Sequence, residues 1–170
     1  SMKNTYLAGI ETDIVQEIRP NVYFKGYIDL VFYNKLADTY TIIDIKTSTR
    51  GWTDYDKKND AKIAQILLYK EFFAKQFNVD VDQINVEYFI LRRKINEDAE
   101  FVARRVQEWR PASGKLKRGK AMKLLNDFVS NAFKDGAYNK DGNFSPTPSQ
   151  SACRFCPYNN DKDLCNVAHS

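Results

Sequence analysis

The apolar positions in the first third of the chain recur with a period of two. Residues 13–19 (DIVQEIR) alternate polar and apolar side chains up to Pro20-Asn21, and the run VYFKGYIDLVFY that follows is rich in β-branched and aromatic residues. After the polar break NKLAD, the run TYTIIDIKTS has the same character. Such runs favour strands, and Pro-Asn favours a turn. The pattern therefore predicts three strands in an antiparallel meander.

From residue 60 the apolar period changes to three and four. The side chains that share one face are Ile63, Ile66, Leu67, Tyr69, Phe73 and Phe77. This spacing predicts an amphipathic helix over residues 60–77. The run INVEYFILRRK (84–94) then predicts a strand with a buried centre at Val86, Tyr88 and Ile90. A helix between two strands permits a parallel connection.

The last third of the chain mixes weaker signals with one clear helix. Residues 101–109 (FVARRVQEW) suit either a strand or a short helix, and the glycine-flanked basic run GKLKRGK (114–120) predicts a loop. In residues 121–136 a second helix is predicted, with a glycine stop. Its shared face carries Met122, Leu125, Val129 and Phe133. The tail from residue 137 is rich in Gly, Asn, Pro and Ser, which favours irregular structure.

These elements predict a mixed α/β fold with a central mixed sheet flanked by helices. We expect a core over residues 2–136 and a cysteine-rich segment over 137–170 that packs on it. Hydrophobic residues make up 43% of the chain and aromatic residues 14%, which is sufficient for a hydrophobic core. The sequence has no apolar run near the ~20 residues of a membrane span and no signal region. We therefore expect a soluble, cytoplasmic protein.

The net charge of +4 is distributed unevenly. Residues 92–123 contain eleven basic and four acidic residues, which gives +7 and leaves −3 for the remainder. A solvated surface explains most charge runs. A basic stretch beside an acidic remainder also suits a polyanionic substrate that approaches a carboxylate-lined metal site.

Two acids lie inside the apolar strands. If the second and third strands pair so that opposed residue numbers sum to 73, Asp29 faces Asp44 and Tyr33 faces Tyr40. Opposed residues hold their Cβ atoms about 4.5–5.5 Å apart. Two carboxylates at that separation repel each other, and a divalent cation relieves the repulsion. Charged residues on a strand are often just its solvated face, but isolated acids in apolar strands need a reason.

Lys46 follows Asp44 by two residues, so both side chains point to the same side of the strand, roughly 7 Å apart along it. Oxygen ligands favour Mg²⁺ or Mn²⁺. The carbonyl of Ile45 is an additional candidate ligand. We expect Lys46 to position an attacking water or to stabilise charge that develops on a phosphate.

Three short motifs resemble a known family. The series G-Y-I-D (26–29), D-I-K-T (44–47) and Q-I-L-L-Y (65–69) is similar in order and spacing to the GxxD, (D/E)xK and QxxxY motifs of RecB-type PD-(D/E)XK nucleases. The resemblance implies a restriction-endonuclease-like core in which Asp29 and Asp44 bind metal and Lys46 is catalytic. It also implies that Gln65 and Tyr69 touch the site or DNA, whereas simple packing of the helix on the sheet is the alternative.

The family normally has an upstream helix whose His or Glu completes the metal site, and only about a dozen residues precede the first predicted strand here. Glu11 and Glu17 are poor substitutes. The expectation is therefore either that an N-terminal segment lies outside this sequence or that the chain is a reduced, partly inactive relative.

All three cysteines lie near the C-terminus. Cys153-x2-Cys156-x8-Cys165 is followed closely by His169, the only histidine, and these four donors suit a tetrahedral zinc site. Three reduced thiols without a metal are the alternative. The string C-R-F-C-P-Y also resembles the iron–sulfur segment of RecB-type nucleases, which implies a [4Fe–4S] cluster if a fourth cysteine comes from elsewhere.

Together these features predict a nuclease that requires Mg²⁺ or Mn²⁺. We expect an exonuclease on single-stranded DNA ends in replication, recombination or repair, with a helicase or recombination partner, and a host-cell location if it is phage-encoded. A non-catalytic nucleic-acid-binding module and a structural part of a helicase–nuclease are the alternatives.

Overall fold

The computed structural model describes residues 4–142, 144, 146, 148–165 and 167, and only the backbone of Ser151. The strands are β1 (Thr5–Arg19), β2 (Val22–Asn34), β3 (Thr39–Ser48), β4 (Ile84–Arg92), β5 (Val106–Trp109), β6 (Phe133–Lys134) and β7 (Ala137–Tyr138). The helices are α1 (Asp54–Lys58), α2 (Asp60–Phe77), α3 (Lys115–Ala132) and α4 (Gln150–Cys153). A single 3-10 turn (Val81–Gln83) precedes β4.

The first five strands form one sheet in the order β1-β2-β3-β4-β5. β3 and β4 are parallel, and the other neighbours are antiparallel. A parallel pair needs a long crossover connection, and α2 supplies it while packing on β1, β3 and β4. The predicted mixed α/β fold, with a central mixed sheet flanked by helices, is therefore confirmed.

Local signals in the sequence explain the limits of α2. The Asn59 side chain accepts hydrogen bonds from the backbone N–H groups of Ala61 and Lys62, which caps the first turn. Asn78 ends the helix with a left-handed φ of 52°. The predicted apolar face is buried except for Phe77, which is 45% exposed because it is the last residue of the helix. Each fully buried apolar side chain contributes about 1.5–3 kcal/mol.

β4 forms the centre of the core. Its predicted inward residues Val86, Tyr88 and Ile90 are all buried, and they pack against the apolar face of α2. The two faces of this strand differ because successive side chains alternate. Inward packing of β4 holds the neighbouring β3, which carries Asp44 and Lys46, in a fixed position beneath α2.

The predicted starts of two elements were wrong. β1 begins at Thr5, eight residues before the predicted start. The basic run 114–120 is not a loop, because α3 begins at Lys115 with Gly114 as its N-cap. Lys, Leu and Arg favour helix enough to outweigh the cost of about 1 kcal/mol for a glycine inside it. Arg118 adds buried bonds, since it pairs with Glu71 and donates to the Ser113 carbonyl oxygen at 2.9 Å.

The other end of α3 also differs from the prediction. The helix ends at Ala132, and Phe133 begins a two-residue strand that pairs with β7. Gly136, predicted as a helix stop, lies instead in the turn of this hairpin with φ 78°. Within residues 101–109, only Val106–Trp109 forms a strand. In the described part of the chain, no helix combines the length and apolar character needed to cross a membrane.

Candidate active site

The register predicted for β2 and β3 is confirmed as far as Leu30, which lies opposite Ile43. The next pair in that register would be Asp29 and Asp44. The regular ladder ends one step before it. Asp29 and Asp44 therefore lie just beyond the last backbone pair of β2 and β3. The strands are not held together by ladder hydrogen bonds at this point, so both side chains can lie beside each other.

β1 and β2 are irregular at the same level. Glu11 of β1 has a left-handed φ of 45° and lies between Ile10, which pairs with Leu30, and Thr12, which pairs with Ile28. Ile28 and Val31 both belong to the core, with exposures of 0% and 1%. In a regular strand, residues three apart point to opposite faces. The inward-facing residues of β2 are therefore even-numbered up to Ile28 and odd-numbered from Val31. Asp29 lies at this change, which affects the direction of its carboxylate.

The Asp29 carboxylate is anchored to the neighbouring strand. Its Oδ2 accepts a hydrogen bond from the backbone N–H of Ile45 at 2.6 Å. A hydrogen bond to a charged acceptor is about twice as strong as a neutral one. This bond brings the half-buried Asp29 carboxylate beside the backbone that follows Asp44.

Asp44 is 3% exposed. Its Oδ2 lies 2.8 Å from Lys46 Nζ, yet no described donor meets this buried atom in hydrogen-bonding geometry. Burial raises the pKa of Asp44 above its ordinary value; the Lys46 ammonium opposes the shift, and the negative charge of Asp29 adds to it. The charged form of this carboxylate is therefore incompletely compensated, which is costly in a buried position.

Lys46 lies on the same side of β3 as Asp44, as predicted. Besides its contact with Asp44, its Nζ donates a hydrogen bond to Oε1 of Gln65 at 2.8 Å. The ammonium is thus held between a strand carboxylate and a helix amide, with about a third of the side chain still exposed. It is both positioned and accessible to a ligand.

The chain of contacts continues along α2. Nε2 of Gln65 donates to the Tyr69 hydroxyl at 3.0 Å. The two residues are one helical turn apart and so share a face. The buried ring of Tyr69 lies against Gly26, where a Cβ atom would come within 2.5 Å of Cε1. The structure therefore brings all five predicted residues of the three motifs, and Gly26, into one contact network.

Sequence reasoning assigned Tyr88 to the core and missed its place beside the site. It is the neighbour of Asp44 across β3 and β4. Its hydroxyl donates to the carbonyl oxygen of Lys62 at 2.7 Å, and its ring packs on Trp52 and Trp109. Burial raises the pKa of Tyr88, and the Asp44 charge adds to this effect. A neutral aromatic cluster thus forms the desolvating side of the site. The sequence alone did not give the parallel register of β3 and β4, which is needed to place Tyr88 next to Asp44.

This donor set fits a hard divalent cation. The buried Asp44 carboxylate lies near the Asp29 carboxylate, and both supply oxygen ligands. Mg²⁺ is commonly held by one or two carboxylates together with substrate phosphates. Over the described ranges, no group of three or more His, Cys, Asp or Glu residues could hold a metal, and Asp29 and Asp44 form a pair of carboxylates only.

The cysteines form no such group among the described residues either. Cys153 is buried, Cys156 and Cys165 are half-buried, and all three are free thiols. The backbone N–H of Cys156 donates to the carbonyl of Cys153 at 3.0 Å, which makes a tight CxxC turn. His169 lies outside the described residues. The four-donor site predicted from the sequence therefore stays a prediction.

Comparison with known protein families finds a match. A family model described as the PD-(D/E)XK nuclease superfamily matches residues 3–165, which include the whole five-stranded sheet and both long helices. A search of curated proteins finds no match.

Proposed function

Because the chain belongs to the PD-(D/E)XK nuclease superfamily, we propose that it is a metal-dependent deoxyribonuclease with its centre at Asp29, Asp44 and Lys46. Members of this superfamily are phosphodiesterase nucleases, so the reaction class follows from membership. The choice of centre rests on one observation: buried Oδ2 of Asp44 lies 2.8 Å from the Lys46 ammonium and near the Asp29 carboxylate.

The residues of this centre divide the chemistry between them. Asp29, Asp44 and the carbonyl of Ile45 would hold Mg²⁺ or Mn²⁺, which when bound supplies Lewis acidity and a more acidic water. Lys46 donates to the attacking water or to a phosphate oxygen that gains negative charge. Gln65 fixes the direction of the Lys46 ammonium through its Oε1. Tyr69 orients Gln65 in turn.

We further propose that the substrate is DNA with single-stranded ends, attacked as an exonuclease in replication, recombination or repair, alongside a helicase or recombination partner. The order of the GxxD, DxK and QxxxY motifs supports a RecB-type enzyme. The excess of basic residues between positions 92 and 123 supports a polyanionic substrate.

The C-terminal segment 137–170 has a separate proposed role. Cys153, Cys156 and Cys165 would bind zinc together with His169, or a [4Fe–4S] cluster together with a fourth thiolate. The short α4 and the CxxC turn support this assignment, because they place Cys153 and Cys156 on one tight turn. A metal would fix a segment whose described residues contain little regular structure.

The test is a cleavage assay on single-stranded, double-stranded and circular single-stranded DNA and on RNA, each with Mg²⁺, Mn²⁺ or EDTA. Wild type should shorten linear single strands only with metal and leave circles intact. Asp44→Asn and Lys46→Met should lose activity at least 100-fold, whereas the exposed controls Asp98→Asn and Lys35→Met should retain it. Wild type and variants that bind DNA equally and leave it intact would contradict the enzyme and favour a binding module.

A further inference from the structure

A cluster of cations lies at the carboxyl ends of β3 and β4. Arg50, Arg92 and Lys94 line a cavity of about 380 Å³, together with Ile95, Asn96 and Ala103. Arg93, Arg104 and Arg105 are their neighbours in the two chain segments that meet there. We call these six basic residues the basic cleft. Arg92 is half-buried, and the other five are exposed.

The charges of the basic cleft are not compensated within the described part of the chain. None of its six cations forms an ion pair there, and the three acids of the intervening segment, Glu97, Asp98 and Glu100, pair with none of them. Six cations and three acids leave a local charge of +3. Such a concentration of positive charge attracts a polyanion.

Some of these cations hold the cleft together, and others are free. Arg92 donates to the carbonyl oxygens of Arg50 at 3.1 Å and Arg104 at 2.6 Å, and Arg105 donates to that of Arg92 at 3.1 Å. Neutral carbonyls satisfy the donors without cancelling the charge. The side chains of Arg50, Lys94 and Arg104 have no partner in the described chain, so they remain available to a ligand.

The wall of the cleft is fixed before any ligand arrives. Gly51 has φ 97°, and a Cβ there would lie 2.6 Å from Nε of Arg92. The next residue, Trp52, exchanges hydrogen bonds of 2.7 and 3.0 Å between its backbone and the Gln107 side chain. These contacts hold the Arg92 guanidinium in place, so this cation loses less entropy when a ligand binds.

The basic cleft continues directly from the proposed centre. Lys46 lies opposite Ile90, and Ser48 lies opposite Arg92 two residues further along the parallel strands, or about 7 Å. Lys94 is four residues beyond Ile90, or about 13 Å. This distance exceeds the axial rise of about 3.4 Å between successive phosphates of a duplex strand, so the cations between Lys46 and Lys94 can contact more than one phosphate of a bound strand.

We infer that the basic cleft binds the sugar–phosphate backbone of the nucleic acid strand that enters the centre, on the side beyond the carboxyl ends of β3 and β4. This inference rests on the proposed function, because it assigns the place of the substrate around that centre. Contacts with phosphates carry no sequence information. Binding at the cleft is accordingly independent of sequence and weakens steeply with salt.

The experiment measures fluorescence anisotropy of a labelled single-stranded DNA of about 30 nucleotides in EDTA, where the strand stays intact, over a range of salt concentrations. A duplex of the same length is measured in parallel. The variant Arg50→Ala/Lys94→Ala/Arg104→Ala removes the three free cations. The matched control Lys35→Ala/Lys75→Ala/Lys140→Ala removes the same charge at exposed positions elsewhere.

We expect the cleft variant to bind at least tenfold more weakly than wild type at about 0.1 M salt. The slope of log affinity against log salt should fall by about two to three, since each lost phosphate contact lowers it by about 0.7–0.9. The control should stay within about twofold of wild type. Both triple variants should melt at the wild-type temperature, because all six substituted side chains are exposed.

Equal affinity and equal slope in wild type and cleft variant would overturn the inference, as would an equal loss in the control or no DNA binding by wild type. Cleavage reports separately on the proposed function. Binding that depends on the cleft, in a protein that leaves DNA intact with Mn²⁺, supports the basic cleft and contradicts only the nuclease proposal.

Discussion

Gly26 and Tyr69 are packed so closely that a Cβ atom on residue 26 would lie 2.5 Å from Cε1 of the tyrosine and 3.0 Å from its hydroxyl oxygen. The first motif on β2 and the last motif on α2 are therefore parts of one contact. Through Gln65, the same contact reaches Lys46. The three motifs, which are separated along the chain, are thus connected by successive side-chain contacts in the fold.

This contact predicts the effect of Gly26→Ala. The new methyl group must displace the Tyr69 ring, which deprives Gln65 of its acceptor. Overpacking of this kind costs about 1–3 kcal/mol, and we expect DNA cleavage to fall at least tenfold.

Gly119→Ala is the matched control, because Gly119 lies inside α3 and nothing lies within 4 Å of an added Cβ there. It should raise the free energy of unfolding by about 0.5–1 kcal/mol. Wild-type cleavage by Gly26→Ala would refute this role of the contact.

Gln65→Leu should lower kcat about 10–100-fold and change KM by less than about threefold. The substitution removes the acceptor that directs the Lys46 ammonium, while the contact of Lys46 with Asp44 remains. Steady-state kinetics on a labelled strand measure both parameters. Tyr69→Phe should have a smaller effect of about 2–10-fold, the equivalent of one neutral hydrogen bond.

The control for that substitution lies on the same helix. Gln76 bonds to the backbone of Val15 and Asp13, remote from Lys46 along α2. Gln76→Leu should lower thermal stability without a change in kcat. Similar losses of kcat for Gln65→Leu and Gln76→Leu would indicate a general effect of the helix and not positioning of Lys46.

The burial of Lys70 predicts that the free energy of unfolding depends on pH. It is 5% exposed, and its Nζ has only the Ser113 hydroxyl as a hydrogen-bond acceptor, at 3.3 Å, among the described residues. Burial lowers the pKa of Lys70 below its ordinary 10.5, and Arg118 acts in the same direction, against the charges of Asp82 and Glu71. The charged lysine therefore destabilises the folded state at neutral pH.

Lys70→Met should consequently be more stable than wild type at pH 7. The folded pKa is the lower one, so the wild-type penalty is complete below it and disappears as pH rises through it towards 10.5. The advantage of Lys70→Met should shrink over that window. Urea denaturation at pH 7 and at pH 9.5 measures it. An advantage that grows with pH would contradict the lowered pKa.

The sequence predicted the elements of the site better than their contacts. Alternation predicted the strands β2 and β3, and the opposed Tyr33 and Tyr40 gave the register that brings Asp29 towards Asp44. Alternation could not reveal that the ladder of β2 and β3 ends at Leu30 and Ile43, or that Glu11 has a positive φ, because neither feature is part of a period-two pattern. The hydrogen bond from the Ile45 amide to Asp29 follows from that interruption.

The wrong loop over residues 114–120 has a different cause. Two glycines suggested a break, yet Arg118 becomes buried beside Glu71 and Ala121 packs into the core. Both contacts join α3 to other parts of the chain, which a local pattern does not contain. Tertiary contacts of this kind routinely outweigh weak local propensities.

Metal analysis tests the proposed role of the cysteine segment. Purified protein should contain about one zinc per chain, or iron together with visible absorption from an iron–sulfur cluster. Cys153→Ser/Cys156→Ser should lose that metal, whereas Asp44→Asn should retain it, because the two sites use different residues. Protein without zinc or iron, or a double variant with unchanged metal content, would contradict this assignment.

The most direct test of the proposed centre is a titration of the protein with Mn²⁺, followed by the paramagnetic resonance signal of the free ion. Wild type should bind Mn²⁺ with an affinity that Asp29→Asn and Asp44→Asn each reduce at least tenfold. Lys46→Met should bind at least as tightly as wild type, since the ammonium 2.8 Å from Asp44 no longer repels the cation, and yet fail to cleave DNA. Wild-type Mn²⁺ affinity in Asp44→Asn would contradict the claim that these two strands form the metal site.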